Sequence, residues 1–297
     1  MITRFAPSPT GPLHLGHAYS ALLAEQMAMD AGGTFLLRIE DIDLSRARSE
    51  WETQIYNDLQ WLGLWWPKPV MRQSDRLSIY QGRLQNLWDR QYLFGCSCSR
   101  RDVVEATSAP QEGTAPQVGP DGIIYPGTCR ENRAFALGPV MPSDMVLRLW
   151  MERAANMAGE IRAQGKVIAF TETGRGPNGE SGIIEVTASE VIKAIGDVVL
   201  ARRDMGTSYH LSVVLDDAAQ EVTHVVRGED LFEATKIHVI LQRLLRLPTP
   251  VYHHHKLIRD ENGKRLAKRD DARAISKYRE DGATPNDIRQ LVGLPHV

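Results

Sequence analysis

The chain has 297 residues, of which 42% are hydrophobic and 24% are charged, and these values are ordinary for a globular protein. This length supports one large hydrophobic core with about two or three subdomains. The formal net charge of −2 excludes a uniformly basic nucleic-acid binder, and no apolar stretch approaches the roughly 18 residues that a membrane span requires. We therefore expect a cytoplasmic protein without a membrane partner, and we take it to be a monomer.

The first 17 residues form the most informative segment of the chain. An apolar opening, residues 1–6, runs into a loop with three prolines, and two histidines follow, His14 and His17, where a helix is predicted to begin. The prolines fix φ, and Gly11 and Gly16 allow the backbone to approach a ligand closely. Because partial positive charge collects at a helix N-terminus, this strand–loop–helix unit suits a triphosphate. A structural role for the two histidines is the alternative.

The next part of the chain predicts alternating helices and strands. Apolar residues at helical spacing predict a helix at 18–31, and a buried strand is predicted at 34–39, ending at Glu40. Two further helices are predicted at 50–62 and 76–90. This β–loop–α–β opening predicts a parallel sheet that binds ligands at the carboxyl ends of its strands.

The composition changes after Tyr92, where residues 107–122 are rich in Pro, Gly, Ala and Ser and predict an irregular loop. Further predictions are regular structure at 144–151, a strand at 166–171, a Gly-rich turn at 174–182, core strands at 208–215 and 223–227, and a helix at 233–245. We therefore predict an α/β fold with a Rossmann-like sheet in two halves, interrupted by a large insertion. The predicted boundaries are 1–92 and 188–246 for the sheet, 93–187 for the insertion and 247–297 for a C-terminal region.

All three cysteines, Cys96, Cys98 and Cys129, lie in the insertion. An odd number of cysteines argues against a disulfide framework, and their clustering indicates a shared role. Zinc takes four tetrahedral ligands and binds thiolates well, but no histidine occurs between His17 and His210 to complete such a set. The local candidates for a fourth ligand are Tyr125, Asp102, Glu105, Glu131 and water. Three free thiols without a metal are the alternative.

Three charged residues, Arg4, Glu40 and Arg227, lie at or near the ends of predicted strands. Each one alone is explained by a structural ion pair. As a set, arginines and a glutamate complement the two carboxylates and the ammonium of a glutamate ligand through charge-assisted hydrogen bonds. The hydroxyl of Tyr209 can add a contact that fixes the orientation of the ligand side chain.

Two polar stretches lie in the last fifth of the chain. A basic cluster at 256–279 can bind phosphates, although a solvated surface explains it as well. The three histidines at 253–255 are consecutive. Because neighbouring residues of an extended segment point to alternating faces, they chelate a metal poorly and are interpreted as polar residues at a strand end, one of them near a nucleotide.

Four ordered blocks make the chain resemble the glutamyl-tRNA synthetases, which are class I aminoacyl-tRNA synthetases. The blocks are residues 4–17, 38–43, 225–231 and 263–269. The first resembles the first class I signature, with His14-Leu15-Gly16-His17 at its end, and the last is similar to the lysine-rich second signature. The resemblance implies a Rossmann-like class I synthetase catalytic domain with a zinc-binding insertion. It also implies a short basic C-terminal region with the second-signature loop and a truncated stem-contact region.

The length of the C-terminal region makes the resemblance more specific. A full glutamyl-tRNA synthetase continues into anticodon-binding domains, whereas this chain ends 28 residues after Arg269. In this respect, and at residues 96–130 and 196–204, it resembles the glutamyl-queuosine tRNA(Asp) synthetases. That family implies activation of L-glutamate by ATP and transfer to the queuosine base in the anticodon of tRNA(Asp). The alternatives are a minimal glutamyl-tRNA synthetase that charges the 3′ end of tRNA(Glu), and a non-catalytic tRNA-binding paralogue.

The resemblance also implies roles for individual residues. The catalytic set would be His14, His17 and Lys268, and the ATP site would add Gly16, which leaves room for adenine, and Arg265. The residues that would bind glutamate are Arg4, Phe5, Ala6, Pro7, Ser8, Glu40, Tyr209 and Arg227. Structural Zn²⁺ would be held by Cys96, Cys98, Tyr125 and Cys129, and Mg²⁺ would accompany ATP.

The second signature departs from the family pattern at two positions. Arg265 stands where lysine is usual, which keeps the charge but replaces a compact ammonium by a planar guanidinium. Ala267 stands where serine is usual and cannot donate a side-chain hydrogen bond. These departures favour Lys268 over Arg265 as the main cation of the predicted ATP site.

Overall fold

The computed structural model describes residues 1–108, 116–130, 140–163, 165–259 and 273–296. The strands are β1 (Ile2–Phe5), β2 (Thr34–Ile39), β3 (Met71–Arg72), β4 (Leu93–Cys96), β5 (Val118–Gly119), β6 (Gly122–Ile123), β7 (Val146–Leu149), β8 (Glu160–Arg162), β9 (Gly165–Glu172), β10 (Gly182–Thr187), β11 (Val199–Ala201), β12 (His224–Gly228) and β13 (Val251–His255). The helices are α1 (Leu15–Asp30), α2 (Ser49–Trp61), α3 (Leu77–Asp89), α4 (Arg100–Ser108), α5 (Met151–Ala158), α6 (Ala188–Ala194), α7 (Tyr209–Ala219), α8 (Thr235–Leu245), α9 (Ile275–Glu280) and α10 (Pro285–Val292).

Parallel strands from distant parts of the chain form the centre of the fold. Strands β1, β2 and β3 pair in that order, and all of these pairs are parallel. A second sheet places β13 between β12 and β9 with parallel pairing to both, and β10 and β8 extend it in antiparallel fashion. The amide of Thr223, just before β12, donates to the carbonyl oxygen of Ile2 in β1 (3.0 Å), which joins the two sheets.

Helix α1 packs on β1 and begins at the end of the proline loop, with His14 as its N-cap. Its buried residues are Leu15, Ala18, Ala21, Leu22, Ala24 and Ala28. Most of these positions are related by spacings of three or four residues, so they lie along the face that meets the sheet. One hydrophobic core contains this face together with β1, β2, α2 and residues of α9 and α10, and a second core contains α3 and α5 to α8.

Strands β4 and β7 of the predicted insertion pair with β11 in a small antiparallel sheet, in the order β11-β7-β4, and β5 and β6 form a two-stranded hairpin. A third apolar cluster lies at the end of β4, and its buried members are Phe94, Cys96, Val103, Tyr125 and Cys129. The cysteines therefore sit at the edge of a compact packing unit. Among the described residues, no helix is both long and apolar enough to cross a membrane.

Most of the predicted elements are confirmed. The predicted helices at 18–31, 50–62, 76–90 and 233–245 correspond to α1, α2, α3 and α8, and the predicted strands at 34–39, 166–171 and 223–227 correspond to β2, β9 and β12. The Gly-rich turn at 174–182 separates β9 from β10, and the regular structure at 144–151 contains β7. The three histidines at 253–255 end strand β13, as predicted.

Two predicted elements are wrong. Residues 208–215 are not a strand but the beginning of α7, in which every residue from His210 to Asp217 is buried. A helix that is buried on all sides has no polar face, so its sequence lacks the helical period that distinguishes it from a strand. Residues 107–122 are not entirely irregular, because α4 continues to Ser108 and the β5–β6 hairpin begins at Val118; residues 109–115 lie outside the described part.

Candidate functional site

Polar side chains gather where the parallel strands end. Arg4 lies in the last half of β1, and Glu40 directly follows β2. Arg227 and His254 are the penultimate residues of β12 and β13, and Glu172 is the last residue of β9. All five side chains are buried. The carboxyl ends of parallel strands are where α/β sheets bind small ligands, so this cluster is the candidate site.

Asp217 of α7 connects the first two strand ends. Its carboxylate accepts hydrogen bonds from Arg4 Nε (2.9 Å) and from Arg38 Nη1 (2.8 Å). Arg38 is fully buried in β2 and also donates to Glu40 Oε1 (3.0 Å) and to Gln220 Oε1 (3.0 Å). Removing one member of such a buried network typically costs about 3–5 kcal/mol, because it leaves an uncompensated charge. The network therefore holds Arg4 and Glu40 in fixed positions.

Guanidinium groups oppose the effect of burial on the carboxyl groups of the cluster. Burial opposes ionisation of Asp217, but Arg4 and Arg38 outweigh this effect and lower the pKa of its carboxyl group. Burial raises the pKa of Glu40, and Arg38 and Arg4 offset this only in part. With Asp217, Glu40 and Glu172 ionised, three carboxylates balance the three guanidinium groups of Arg4, Arg38 and Arg227. Such a site complements a ligand that carries two carboxylates and one ammonium.

The guanidinium of Arg227 is held by neutral acceptors. Its acceptors are His254 Nε2 (3.1 Å), His238 Nδ1 (3.1 Å), Thr235 Oγ1 (2.7 Å), the Leu231 carbonyl oxygen (3.2 Å) and Tyr209 Oη (3.5 Å). Burial and the charge of Arg227 lower the pKa of His238 well below its usual value, so this imidazole is neutral and can accept. The contact with Tyr209 is the longest of the five, and it marks the side of Arg227 on which a ligand carboxylate can compete.

The two histidines of the first signature cap helix α1. The Nδ1 atom of His14 accepts from the amide of Gly16 (3.1 Å), and that of His17 accepts from the amide of His14 (3.2 Å). The neutral rings therefore carry their protons on Nε2, as donors of the kind that phosphate oxygens accept. The two rings lie 3.8 Å apart between centroids. Both predicted histidines are thus brought together at a helix N-terminus, where an anion is stabilised.

The remaining residues of the N-terminal signature line the same region. Pro7 accepts the amide of Glu40 through its carbonyl oxygen (3.0 Å), so the loop and the end of β2 are directly connected. Phe5 is buried beside the ring of His17, Ala6 is half-buried and Ser8 is exposed. A Cβ atom on Gly16 would lie 3.0 Å from His14 Cε1, so a side chain at this position would press on the imidazole.

The chain that follows the second signature returns to the first. The amide of Ile275 donates to the carbonyl oxygen of Leu13 (2.8 Å), and Ala274 forms a bridge with His14. The predicted ATP-site residues Arg265 and Lys268 lie outside the described residues.

The three thiols of the insertion converge, and their sulfur atoms all lie within 4.8 Å of one another. The hydroxyl of Tyr125 lies 3.4 Å from Cys96 Sγ and 3.7 Å from Cys98 Sγ, and Cys98 Sγ lies 3.4 Å from Cys129 Sγ. Burial opposes ionisation of Cys129, but hydrogen bonds from Tyr125 and Ser97 lower its pKa to about 6. A thiol that ionises at neutral pH is ready to bind a cation.

These distances fit a tetrahedral zinc ion. A Zn–S bond of about 2.3 Å implies about 3.8 Å between sulfur ligands and about 3.6 Å between a sulfur and an oxygen ligand. The other predicted fourth ligands are engaged elsewhere or not described. Asp102 accepts the amide of Ser99 (2.7 Å), Glu105 pairs with Arg101 (2.7 Å), and Glu131 lies outside the described residues.

Several residues of the cluster were not predicted as site residues from the sequence. Asp217 and His238 lie in buried helices, and Asp217 follows a segment that was predicted to be a strand. His254 was grouped with its two neighbours as a strand-end histidine, although it alone contacts Arg227. The usable signal for Asp217 was the pair of consecutive acidic residues inside an otherwise apolar stretch, because such charges are rarely buried without partners.

Comparison with known proteins identifies the family of this chain. A family model described as tRNA synthetases class I (E and Q), catalytic domain, matches residues 1–120 and 178–295. The chain belongs to this family. It is 62% identical over 294 residues to a glutamyl-Q tRNA(Asp) synthetase of Rhodobacter capsulatus, with 99% of this chain and all of that protein covered. It is 38% identical over 296 residues to the protein of that name from Nocardia farcinica, covering 98% of this chain and 85% of the relative.

Longer members of the family are also similar. The chain is 33% identical to a glutamate–tRNA ligase of Symbiobacterium thermophilum, and the match covers 98% of this chain but 57% of that protein. Among solved structures, a glutamate tRNA ligase from Elizabethkingia meningosepticum, in complex with its amino acid, matches with a TM-score of 0.72 at 23% identity. That match covers 98% of this chain and 60% of the other. The structural likeness confirms the α/β class I synthetase fold.

Proposed function

We propose that this chain activates L-glutamate with ATP to glutamyl-adenylate and transfers the glutamyl group to the queuosine base in the anticodon of tRNA(Asp). The observation that carries the proposal is the likeness to the Rhodobacter capsulatus protein, which is named for this activity and is 62% identical along its whole length. The buried cluster at the strand ends supplies chemistry that suits a glutamate ligand. The predicted division into 1–92 with 188–246, 93–187 and 247–297 is part of this proposal.

Glutamate would be held by the residues at the ends of β1, β2 and β12. Arg227 and Tyr209 would bind one ligand carboxylate, since the 3.5 Å contact between them is the weakest around the guanidinium. Glu40 would accept a hydrogen bond from the ammonium of the ligand. Arg4 and the loop of Phe5, Ala6, Pro7 and Ser8 would line the rest of the glutamate site. Because three guanidinium groups lie in the cluster, an amino acid with two carboxylates is favoured over one with a neutral side chain.

ATP would lie at the N-terminus of α1. The Nε2–H groups of His14 and His17 would donate to its phosphates, and Gly16 would leave room for adenine. Lys268, with Arg265, would stabilise the pyrophosphate as it departs. Magnesium that accompanies ATP supplies further neutralisation of phosphate charge. Positioned donors of this kind typically contribute about 3–4 kcal/mol each to the stability of a transition state.

The reaction requires no covalent intermediate with the protein. An oxygen of the glutamate α-carboxylate forms a bond to the α-phosphorus of ATP, the bond to the bridging oxygen breaks, and pyrophosphate leaves. A hydroxyl of the queuosine cyclopentene ring then attacks the carbonyl carbon of the adenylate. AMP leaves with the electron pair of the broken bond, and the hydroxyl proton is released. The role of the chain is to orient both partners and to neutralise developing charge.

Zinc would be bound by Cys96, Cys98, Cys129 and Tyr125. With four protein ligands the metal has no open position, so its role would be structural. It would fix the end of β4 to the segment around Tyr125, which the apolar contacts alone hold only through a small cluster.

The first test is glutamate-dependent exchange between ATP and pyrophosphate in the absence of tRNA. Exchange that requires L-glutamate supports the proposal, and a purified, folded chain that shows none overturns it. The second test compares acceptors with radiolabelled glutamate. Labelling of queuosine-containing tRNA(Asp), but not of the same tRNA without queuosine, is the expected result. Labelling of tRNA(Glu) alone would instead identify a minimal glutamyl-tRNA synthetase.

A further inference from the structure

A buried carboxylate reaches Arg227 through a histidine. Glu172 Oε2 lies 2.5 Å from Nδ1 of His254, and Nε2 of His254 accepts from Nε of Arg227 (3.1 Å). Glu172 and His254 are each 1% exposed, and Arg227 is 6% exposed. The three groups therefore form a buried chain in which His254 connects Glu172 to Arg227, and Thr235 Oγ1 also lies near Nε2 of His254 (3.3 Å). Glu172 lies outside the two segments that the family model matches.

The contacts of Glu172 fix the tautomer of His254. Burial lowers the pKa of His254, so the imidazole is neutral and carries one proton. Burial opposes ionisation of Glu172, but hydrogen bonds from His254 lower the pKa of its carboxyl group. A carboxylate can only accept, so the ring proton lies on Nδ1 and the lone pair on Nε2. That lone pair is what the Nε–H group of Arg227 requires.

We propose that Glu172 is a positioning residue for the glutamate site, which sets the tautomer of His254 and thereby the orientation of the Arg227 guanidinium. The inference rests on the proposed function, in which Arg227 binds a carboxylate of the ligand. Glu172 itself touches neither ligand nor reacting atoms. Carboxylates that orient a metal-binding histidine typically change affinity or activity by about 10- to 100-fold when they are removed, and we expect a similar magnitude here.

Replacing Glu172 by glutamine should move the ring proton of His254 from Nδ1 to Nε2. Oε1 of Glu172 accepts two backbone amides, those of His254 (2.9 Å) and Gly174 (2.7 Å). In the Glu172→Gln variant the amide oxygen must occupy this place, because two N–H groups cannot face an NH₂ group. The NH₂ group then points at Nδ1 of His254 and donates to it. The ring proton moves to Nε2, where it opposes the Nε–H group of Arg227.

The kinetic test uses glutamate-dependent pyrophosphate exchange with the full chain. We expect Glu172→Gln to raise the KM for glutamate by about tenfold or more, while the KM for ATP stays within about twofold. Glu185→Gln is the matched control, because Glu185 is an exposed carboxylate of β10 in the same sheet. An unchanged glutamate KM in a folded Glu172→Gln variant, or an equal rise in both KM values, overturns the proposal.

The spectroscopic test is independent of activity. In ¹⁵N-labelled wild-type protein, long-range ¹H–¹⁵N spectra should show His254 protonated on Nδ1, and in Glu172→Gln they should show it protonated on Nε2. The signal is assigned by its loss in His254→Gln. A wild-type His254 protonated on Nε2 overturns the proposal even if Glu172→Gln does not fold.

The two proposals can fail separately. A wild-type chain without exchange contradicts the proposed function, yet the tautomer of His254 can still be measured. A wild-type chain with exchange, combined with an unchanged glutamate KM in Glu172→Gln, contradicts only the role of Glu172. Should Glu172→Gln not fold, His254→Gln replaces it in the exchange assay. The His254→Gln variant lacks the imidazole that connects Glu172 to Arg227. We therefore expect its KM for glutamate to rise while its KM for ATP does not, and an unchanged KM for glutamate overturns the inference.

Discussion

Replacing Glu40 by glutamine tests how the buried cluster distinguishes glutamate from other dicarboxylates. The substitution removes one of the three buried carboxylates of the cluster, Asp217, Glu40 and Glu172, and raises its net charge by about one unit. If Glu40 accepts the ammonium of glutamate, the lost charge-assisted hydrogen bond is worth about 1.5–3 kcal/mol. This corresponds to a rise of about 10- to 150-fold in the KM for glutamate.

The variant should fold, so the effect on the ligand can be separated from an effect on stability. The amide oxygen of glutamine can still accept from Arg38, which keeps its bond to Asp217 (2.8 Å). Because burial raises the pKa of Glu40, the folded protein does not favour the charge at this position. Loss of the charged partner of Arg38 lowers stability and relief of the disfavoured buried charge offsets part of this, so we expect a folded protein with a modestly lower melting temperature, with Glu50→Gln, an exposed site on α2, as the control.

The assay compares glutamate with glutarate, which has the same two carboxylates but no ammonium. Pyrophosphate exchange gives the KM for glutamate, and inhibition of the exchange gives the Ki for glutarate. We expect Glu40→Gln to weaken glutamate and to leave glutarate unchanged or bound more tightly, because the site has become more positive. An equal loss of both ligands would refute the assignment of the ammonium to Glu40.

Three further predictions concern the metal site, the ATP site and stability. Cys98→Ser should lose bound zinc in elemental analysis while Asp102→Asn keeps it, and a wild-type chain without zinc would refute the metal assignment. Gly16→Ala should raise the KM for ATP several-fold, because the added methyl group presses on the imidazole of His14. Gly82→Ala, where a Cβ meets open space, is the control and should leave the KM for ATP unchanged. The same KM for ATP in the two variants would contradict this prediction. Burial raises the pKa of Asp58 from 3.8 to about 6, so the folded state binds more protons than the unfolded state between these values. Asp58→Asn should therefore stabilise the fold by up to about 3 kcal/mol above pH 6 and by little below about pH 3.5. Denaturant unfolding measures the free energy of unfolding at both pH values, and an equal gain at the two would refute the prediction.

The fold could be predicted where one face of an element meets water. Helix α3 buries Tyr80, Leu84, Leu87 and Trp88 at helical spacing while the residues between them are exposed, and it was predicted within one residue of its observed ends. Helix α7 was missed because Asp216 and Asp217 are buried together with the apolar residues around them, so the sequence shows no exposed face. Periodicity carries information only when the two sides of an element differ.

The site could be predicted in part for a different reason. Arg4, Glu40 and Arg227 lie at or near the ends of strand-like segments, so their place at the edge of the sheet follows from the order of the elements. The partners that orient them do not follow from local sequence. Asp217 meets Arg4 only after the chain has returned across 213 residues, and Glu172 meets His254 across 82. Such pairings depend on the tertiary fold.

This distance between partners has a consequence for folding. The residues between Arg4 and Asp217 form a loop whose closure costs about 5 kcal/mol of chain entropy. During synthesis, strand β1 lacks its neighbour β12 until residues near 224 have left the ribosome. More than half of the protein must therefore be made after the N-terminal signature before this contact can form. The two buried arginines have no carboxylate from α7 during that interval. We therefore expect the ligand pocket to become ordered late and a chain with such distant contacts to fold slowly.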